Sequence, residues 1–152
     1  MTDRRLTLDT NILFYAVDTD ADSRHDLAME IVDRASVSDC VLVLQCLCEF
    51  FAAVTAKGAM PVEEAEAQIK DWMELFPVAS ASPKSLTRAL AAVRKHRLSF
   101  WDAMLWAVAG EAGVTLLLSE DFQHDRVLKG TTFWNPFRLS NPLDEIFGGT
   151  EE

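Results

Sequence analysis

Short apolar runs alternate along the chain with longer stretches whose apolar residues recur every three or four positions, a rhythm that predicts strands alternating with helices. Leu6-Thr7-Leu8 reads as a short strand. Helices follow over 11–17 and 22–36, the second carrying Leu27, Ala28, Ile31, Val32 and Ala35. Residues 40–44 are apolar without a break, as expected of a strand buried on both faces. A helix from Gln45 to Lys57 has Leu47, Phe50, Phe51 and Val54 as its stripe and Gly58 as its stop. Pro61 opens the next helix, lined by Val62, Ala65, Ile69, Trp72, Met73 and Phe76. After a short strand at Val78-Ala79, Ser82-Pro83 caps a helix with Leu86, Ala89, Leu90 and Val93 on one face. Ser99 starts a helix that is apolar nearly all round from Trp101 to Ala112, stopped by Gly113; strands follow at 114–118 and 131–134. The expected fold class is therefore α/β, a three-layer α/β/α sandwich around a central, mostly parallel sheet. Residues 1–140 are expected to form one domain, and 141–152 an acidic, loose tail.

In such a sheet, strand C-termini and helix N-termini share one edge, and ligand sites form there where strand order reverses. Asp9 follows the first strand, Asp121 follows the 114–118 strand, and Glu49 and Asp102 fall near the starts of their helices. All four acids are thus expected at one edge, Asp9 and Asp121 converging if their strands are neighbours. Taken singly, each has a plainer reading: Asp9 and Asp121 as turn or cap residues, Asp102 in a capping box with Ser99, Glu49 as solvated surface. Taken together they repel, and no lysine or arginine lies close in sequence to compensate them. Oxygen ligands without His or Cys suit Mg²⁺ or Mn²⁺, with Asp9, Asp102 and Asp121 as the core ligands.

Composition changes this picture in two ways. With 152 residues and 49% hydrophobic content the chain fills one ordinary core, and its net charge of −10 argues against nucleic-acid binding through a broad basic face. Cations at the acidic edge would make any attraction for phosphate local; Arg94, Lys95, Arg97, Arg126 and Lys129 are the basic candidates for holding nucleic acid beyond it, although a charge run such as Arg94 to Arg97 is usually a solvated face. Cys40, Cys46 and Cys48 are odd in number, lie in apolar runs and read as core residues of a reduced protein. His25, His96 and His124 read as surface or helix-end residues, and Trp72, Trp101 and Trp106, at helical spacing, as core in preference to base-stacking platforms, with Trp134 left open. Neither a leader-like apolar segment nor a run of membrane-spanning length is visible, so a cytoplasmic protein without a membrane partner is expected.

The stretches Leu8-Asp9-Thr10-Asn11-Ile12-Leu13, Gln45 to Phe50 with Glu49, Leu98-Ser99-Phe100-Trp101-Asp102-Ala103 and Leu118-Ser119-Glu120-Asp121 together resemble the PIN-domain nucleases, and among them the VapC-type toxins. The likeness runs in family order from about Leu6 to Phe137 and includes Asp121-Phe122-Gln123-His124 and Asn135-Pro136-Phe137. It implies a PIN-like sandwich and an Mg²⁺- or Mn²⁺-dependent endoribonuclease that hydrolyses RNA with metal-activated water. Asp9, Glu49, Asp102 and Asp121 would then be catalytic, with Thr10, Asn11 and Ser119 supporting them. It further implies a homodimer held inactive by a cognate antitoxin; a housekeeping PIN nuclease of RNA processing is the alternative. A haloacid-dehalogenase-type phosphatase would want a second Asp where Asn11 stands. A receiver-like signalling domain with an Mg²⁺ pocket would want paired acids after the first strand and a later Lys.

Overall fold

The structure is a computed structural model and describes residues 4–56 and 58–148. Strand β1 (Leu6–Leu8) pairs in parallel with β4 (Leu116–Leu118), and β4 in parallel with β6 (Thr131–Trp134). Strand β5 (Arg126–Leu128) closes that flank antiparallel to β6. On the other flank of β1, Leu6 N–H donates to the Asp39 carbonyl (2.8 Å) and Val41 N–H to the Leu6 carbonyl (2.9 Å). That bridge leads into the parallel pair β2 (Leu42–Val43) and β3 (Val78–Ala79). The chain thus moves outward from β1 through β2 to β3, then returns to place β4 on the opposite side of β1. Strand order reverses between β1 and β4, which meets the condition for Asp9 and Asp121 to converge, and their C-terminal ends lie side by side.

Successive strand residues face opposite sides of a sheet, so a strand buried at every position is covered on both faces. Every residue of β1 and β4 is buried. The covering helices are α1 (Thr10–Val17), α2 (Ser23–Ala35), α3 (Leu44–Ala56), α4 (Val62–Leu75), α5 (Pro83–His96) and α6 (Phe100–Glu111). Lys57, the expected end of α3, lies outside the described residues.

Several expectations are corrected. The 40–44 strand shrinks to Leu42–Val43 because α3 begins at Leu44, whose side chain turns outward. The 114–118 strand shortens to three residues. Strand β5 was not foreseen: it is three residues long, and the turn that sets it against β6 uses Lys129 and Gly130, both at positive φ (51° and 86°). The tail expected to be loose forms α7 (Pro142–Phe147), which buries Ile146, while the Arg4 guanidinium donates to the Glu145 and Ile146 carbonyls at 2.7 Å. Residues 149–152 of that tail lie outside the described residues.

Helix α5 keeps Ala89 of its expected face buried but turns the rest of that face outward. It buries Ser85, Ala89 and Ala92, while Leu86, Leu90 and Val93 are exposed. Small side chains let it lie close along α6, and the larger ones are left outside. Cys48 is exposed rather than core. Helix α6 is buried from Ala103 to Ala109, but Phe100 and Trp101 in its first turn are not; Trp101 keeps 59% of its surface exposed. In α4, Val62 and Met73 are likewise exposed, and Ala65 and Trp72 carry the packing.

Candidate metal centre

Asp9 ends β1 and begins α1. Its N–H still donates to the Leu118 carbonyl (2.9 Å), so the strand ladder fixes its backbone, and its carboxylate accepts the Thr10 N–H at 2.6 Å as an N-cap. The capping reading is therefore right, and it leaves the second oxygen to accept Ser119 Oγ at 2.6 Å from the end of β4. Only 5% of Asp9 is exposed. Burial is the main cause that raises its carboxyl from 3.8 to about 6; the Ser119 and Thr10 hydrogen bonds oppose it, and the charges of Asp121 and Asp102 add to it.

Ser119 Oγ also accepts the Asp121 N–H (3.0 Å) and the Asn11 side-chain amide (3.4 Å). The same Asn11 Nδ2 donates to Asp121 Oδ2 at 3.2 Å, and Asn11 Oδ1 accepts the Glu120 N–H at 3.3 Å. Asn11 thus fastens the loop after β4 to the start of α1. On the far side of Asp9, Thr10 Oγ1 donates to Glu49 Oε1 at 2.7 Å, orienting a side chain that the pattern of α3 alone leaves on the surface. Asp102 sits in the first turn of α6, where Ser99 Oγ accepts its N–H at 3.3 Å. Its carboxyl is raised chiefly by partial burial, against the Ser99 hydrogen bond, and further by the Asp121 and Glu49 charges.

The four expected acids thus act on one another across a single edge, and Thr10, Asn11 and Ser119 stand between them. Asp9, Cys46 and Glu49 offer ligand atoms within 4.8 Å of one another, a grouping to which Asp102 and Asp121 do not belong. Cys46 Sγ lies 3.7 Å from Asp9 Oδ1, and burial together with the Asp9 charge holds its thiol well above the usual range. A thiol that keeps its proton donates to Asp9 and is a poor metal ligand. The remaining donors are carboxylate oxygens, and among the described residues no lysine or arginine forms an ion pair with any of the four acids. Uncompensated oxygen donors of this kind fit a hard divalent cation.

Sequence reasoning missed three contributors. Gln45 Nε2 donates to Glu49 Oε2 (3.3 Å) and to the Trp101 carbonyl (3.1 Å), tying α3 to α6; its four-residue spacing from Glu49 on a helix was a usable signal. Cys46 gave none beyond its apolar setting. Glu120 accepts Tyr15 Oη at 2.6 Å and pairs with Arg24, whose Nε donates at 2.7 Å; its partners lie 105 and 96 residues away.

An α/β domain with an acidic pocket at a switch point of parallel strands defines the class. Within it, the PIN-domain family model matches residues 6–129, and the chain belongs to that family of nucleases. No curated protein matches it by sequence. Similar solved structures include a toxin–antitoxin complex from Klebsiella pneumoniae, at 18% identity and TM-score 0.64 over 88% of this chain and 99% of that one. Another is VapC20 of Mycobacterium tuberculosis, described as a sarcin-ricin-loop-cleaving toxin (17%, TM-score 0.60, 76% and 91%). A third is FitAcB from Neisseria gonorrhoeae (14%, TM-score 0.58, 88% and 99%).

Proposed function

We propose that the protein is an Mg²⁺- or Mn²⁺-dependent endoribonuclease, the VapC-type toxin of a toxin–antitoxin pair. The observation that carries this reading is the set of carboxylates around Asp9 that the fold brings together and that, among the described residues, form no ion pair with a lysine or arginine. Asp9, Asp102 and Asp121 would hold the metal, and Glu49 would complete the catalytic set. Bound divalent cation supplies Lewis acidity toward water and phosphate oxygens. The chain's own contribution is preorganisation. Ser119, Thr10 and Cys46 fix both oxygens of Asp9; Asn11 fixes Asp121; Thr10 and Gln45 fix the two oxygens of Glu49.

The partner reading comes from the family likeness and is supported by exposed apolar surface. Between α3 and α4, Leu44, Leu47, Cys48, Phe51, Ile69 and Met73 line a groove of about 390 Å³. An apolar segment of an antitoxin fits it, and a basic segment beside it would suit a chain of net charge −10. The Leu86, Leu90 and Val93 stripe of α5 would be covered in a homodimer. Among the described residues no helix is long and apolar enough to cross a membrane; a cytoplasmic setting agrees with buried, unpaired Cys40 and Cys46. A housekeeping PIN nuclease would share the chemistry but lack the antitoxin.

The test is cleavage of RNA by the purified protein. Cleavage is expected with Mg²⁺ or Mn²⁺, leaving 5′-phosphate ends, and is lost on chelation and in Asp9→Asn. Cleavage that survives chelation, or unchanged activity in folded Asp9→Asn, would overturn the reading.

A further inference from the structure

The acidic edge does not stay acidic along its whole length. Across the order β1-β4-β6-β5, Asp9 follows β1 and Asp121 follows β4, while the register sets Trp134 of β6 beside Leu118 and Arg126 of β5 opposite Phe133. Because β5 runs antiparallel, its first residue, Arg126, lies toward the edge where β4 and β6 end. Its Nη2 donates to the His96 carbonyl at 3.2 Å, which fastens the end of α5 to that edge. There the chain carries its one basic stretch: residues 75–101 contain Lys84, Arg88, Arg94, Lys95 and Arg97 and no acid. Arg88 is engaged, lying over the Trp106 ring and donating to the Ala107 carbonyl. Arg94, Lys95 and Arg97 are exposed, and among the described residues none of them forms an ion pair.

In the sequence Trp101 falls between these cations and Asp102. The residue is 59% exposed, and its ring is braced edge-on by Phe100 at 4.8 Å. Its carbonyl accepts the same Gln45 amide that holds Glu49, so its backbone is one side chain away from the acid set. Asp102, the next residue, belongs to that set. An exposed, braced aromatic next to the acid set, on a segment that also carries cations outside any ion pair among the described residues, offers what single-stranded nucleic acid requires: a face for a base and charges for the backbone.

We infer that Trp101 and the Arg94, Lys95 and Arg97 cluster form the docking path for single-stranded RNA, a base stacking on Trp101 and the flanking phosphates running over the cations. This rests on the ribonuclease reading and answers how a chain of net charge −10 holds an anionic substrate beyond the metal. The assignment also accounts for a tryptophan that the helix leaves uncovered.

The experiment measures binding of a fluorescent single-stranded RNA to the full chain carrying Asp9→Asn, over a range of salt, alone and combined with Trp101→Ala or with Arg94→Gln, Lys95→Gln and Arg97→Gln together. Trp101→Ala is expected to weaken binding about tenfold or more. The triple variant should lower the steepness of log K against log salt by about two, since each single-strand phosphate contact contributes roughly 0.7. In the otherwise native chain, both changes should raise KM for RNA while hydrolysis of a small phosphodiester such as bis(p-nitrophenyl) phosphate stays within about twofold. RNA cleavage by the native chain with no effect of either variant on binding overturns this path and leaves the nuclease reading standing. Absence of metal-dependent RNA cleavage by the native chain overturns that reading and the path with it. A fall in molecular mass on light scattering, with RNA binding unchanged, would assign the face to a second copy instead.

Discussion

Glu120 and Asp121 are adjacent in sequence, yet the fold treats their surroundings in opposite ways. Glu120 faces away from the pocket, where Tyr15 and Arg24 engage both of its oxygens, and Arg24 also lies over the Phe137 ring at 4.9 Å. Partial burial pushes its carboxyl up, but the two hydrogen bonds and the Arg24 charge outweigh that and leave it lowered. On the other side of the same loop, Asp9 and Asp102 are raised by burial and by further acids, opposed by neutral hydrogen-bond donors, and among the described residues neither forms an ion pair. The chain thus supplies a cation where the role is structural and withholds one where a cation from outside would serve. The contrast between a self-compensated cluster and an uncompensated one is the physical content of the metal proposal.

The sharpest way to break that contrast is Asp9→Asn. Because the folded-state pKa of Asp9 is raised from 3.8 to about 6, the metal-free protein binds this proton more tightly than the unfolded chain does. With respect to this group, stability is greatest below about pH 4 and falls as pH rises through 6. The loss is at most about 3 kcal/mol at roughly 1.4 kcal/mol per pKa unit. Asp9→Asn should therefore reduce cleavage by about a thousandfold or more and also remove this falling limb, making the metal-free variant more heat-stable than the native chain at pH 7. Saturating Mg²⁺ should stabilise the native chain and leave the variant unchanged. Thermal melts at pH 4.5 and 7, with and without metal, decide it; a variant less stable than the metal-free native chain at pH 7 would mean that Asp9 is held for structure.

The compensated side gives the next largest effect. Arg24→Ala or Glu120→Gln should loosen the loop that carries Asp121, lowering apparent metal affinity by about tenfold, as losses of supporting partners do elsewhere. The stability this cluster contributes is present above the ordinary carboxylate range and lost as pH falls through and below it, the reverse of Asp9. Glu120→Gln should flatten the acid limb of the stability profile and leave the rise from pH 6 toward pH 4 intact. Activity that falls without any change in metal titration would separate Glu120 from Asp121 positioning.

These two clusters also mark what the sequence could disclose. Strand ends and helix starts are local features, so Asp9, Asp102 and Asp121 could be placed on one edge from periodicity and the rules of parallel sheets. Glu49 could be placed there too, but its orientation depends on Thr10, 39 residues away, which spacing alone does not report. The Tyr15, Arg24 and Glu120 cluster was invisible for the same reason. The face of α5 was misread in part because leucine content predicts burial: Ala89 is buried as expected, but close approach to α6 selects Ser85 and Ala92 beside it in place of Leu86, Leu90 and Val93. Short β5 and α7 were missed because charged and turn-forming residues crowd them, Asp125, Arg126, Lys129 and Gly130 around β5 and Asn141, Asp144, Glu145 and Gly148 around α7.

The smallest expected effect tests whether sulfur belongs to the uncompensated cluster. Cys46 is close enough to Asp9 and Glu49 to complete a three-ligand group by distance. Its thiol, however, keeps its proton under the combined burden of burial and the Asp9 charge, and it points that proton at an oxygen already held by the Thr10 N–H. Removing it therefore deletes one weak donor and a small buried volume, and no metal bond. Cys46→Ala should cost about 1 kcal/mol in thermal stability and leave the Mg²⁺- or Mn²⁺-dependent rate within about threefold. Added Cd²⁺ should give the native chain no sulfur-to-metal absorbance that this variant lacks. A loss of activity approaching that of Asp9→Asn, or a Cd²⁺ band that disappears with the thiol, would place sulfur among the ligands. The site would then select a softer ion than Mg²⁺, and the withheld cation would no longer be a hard one.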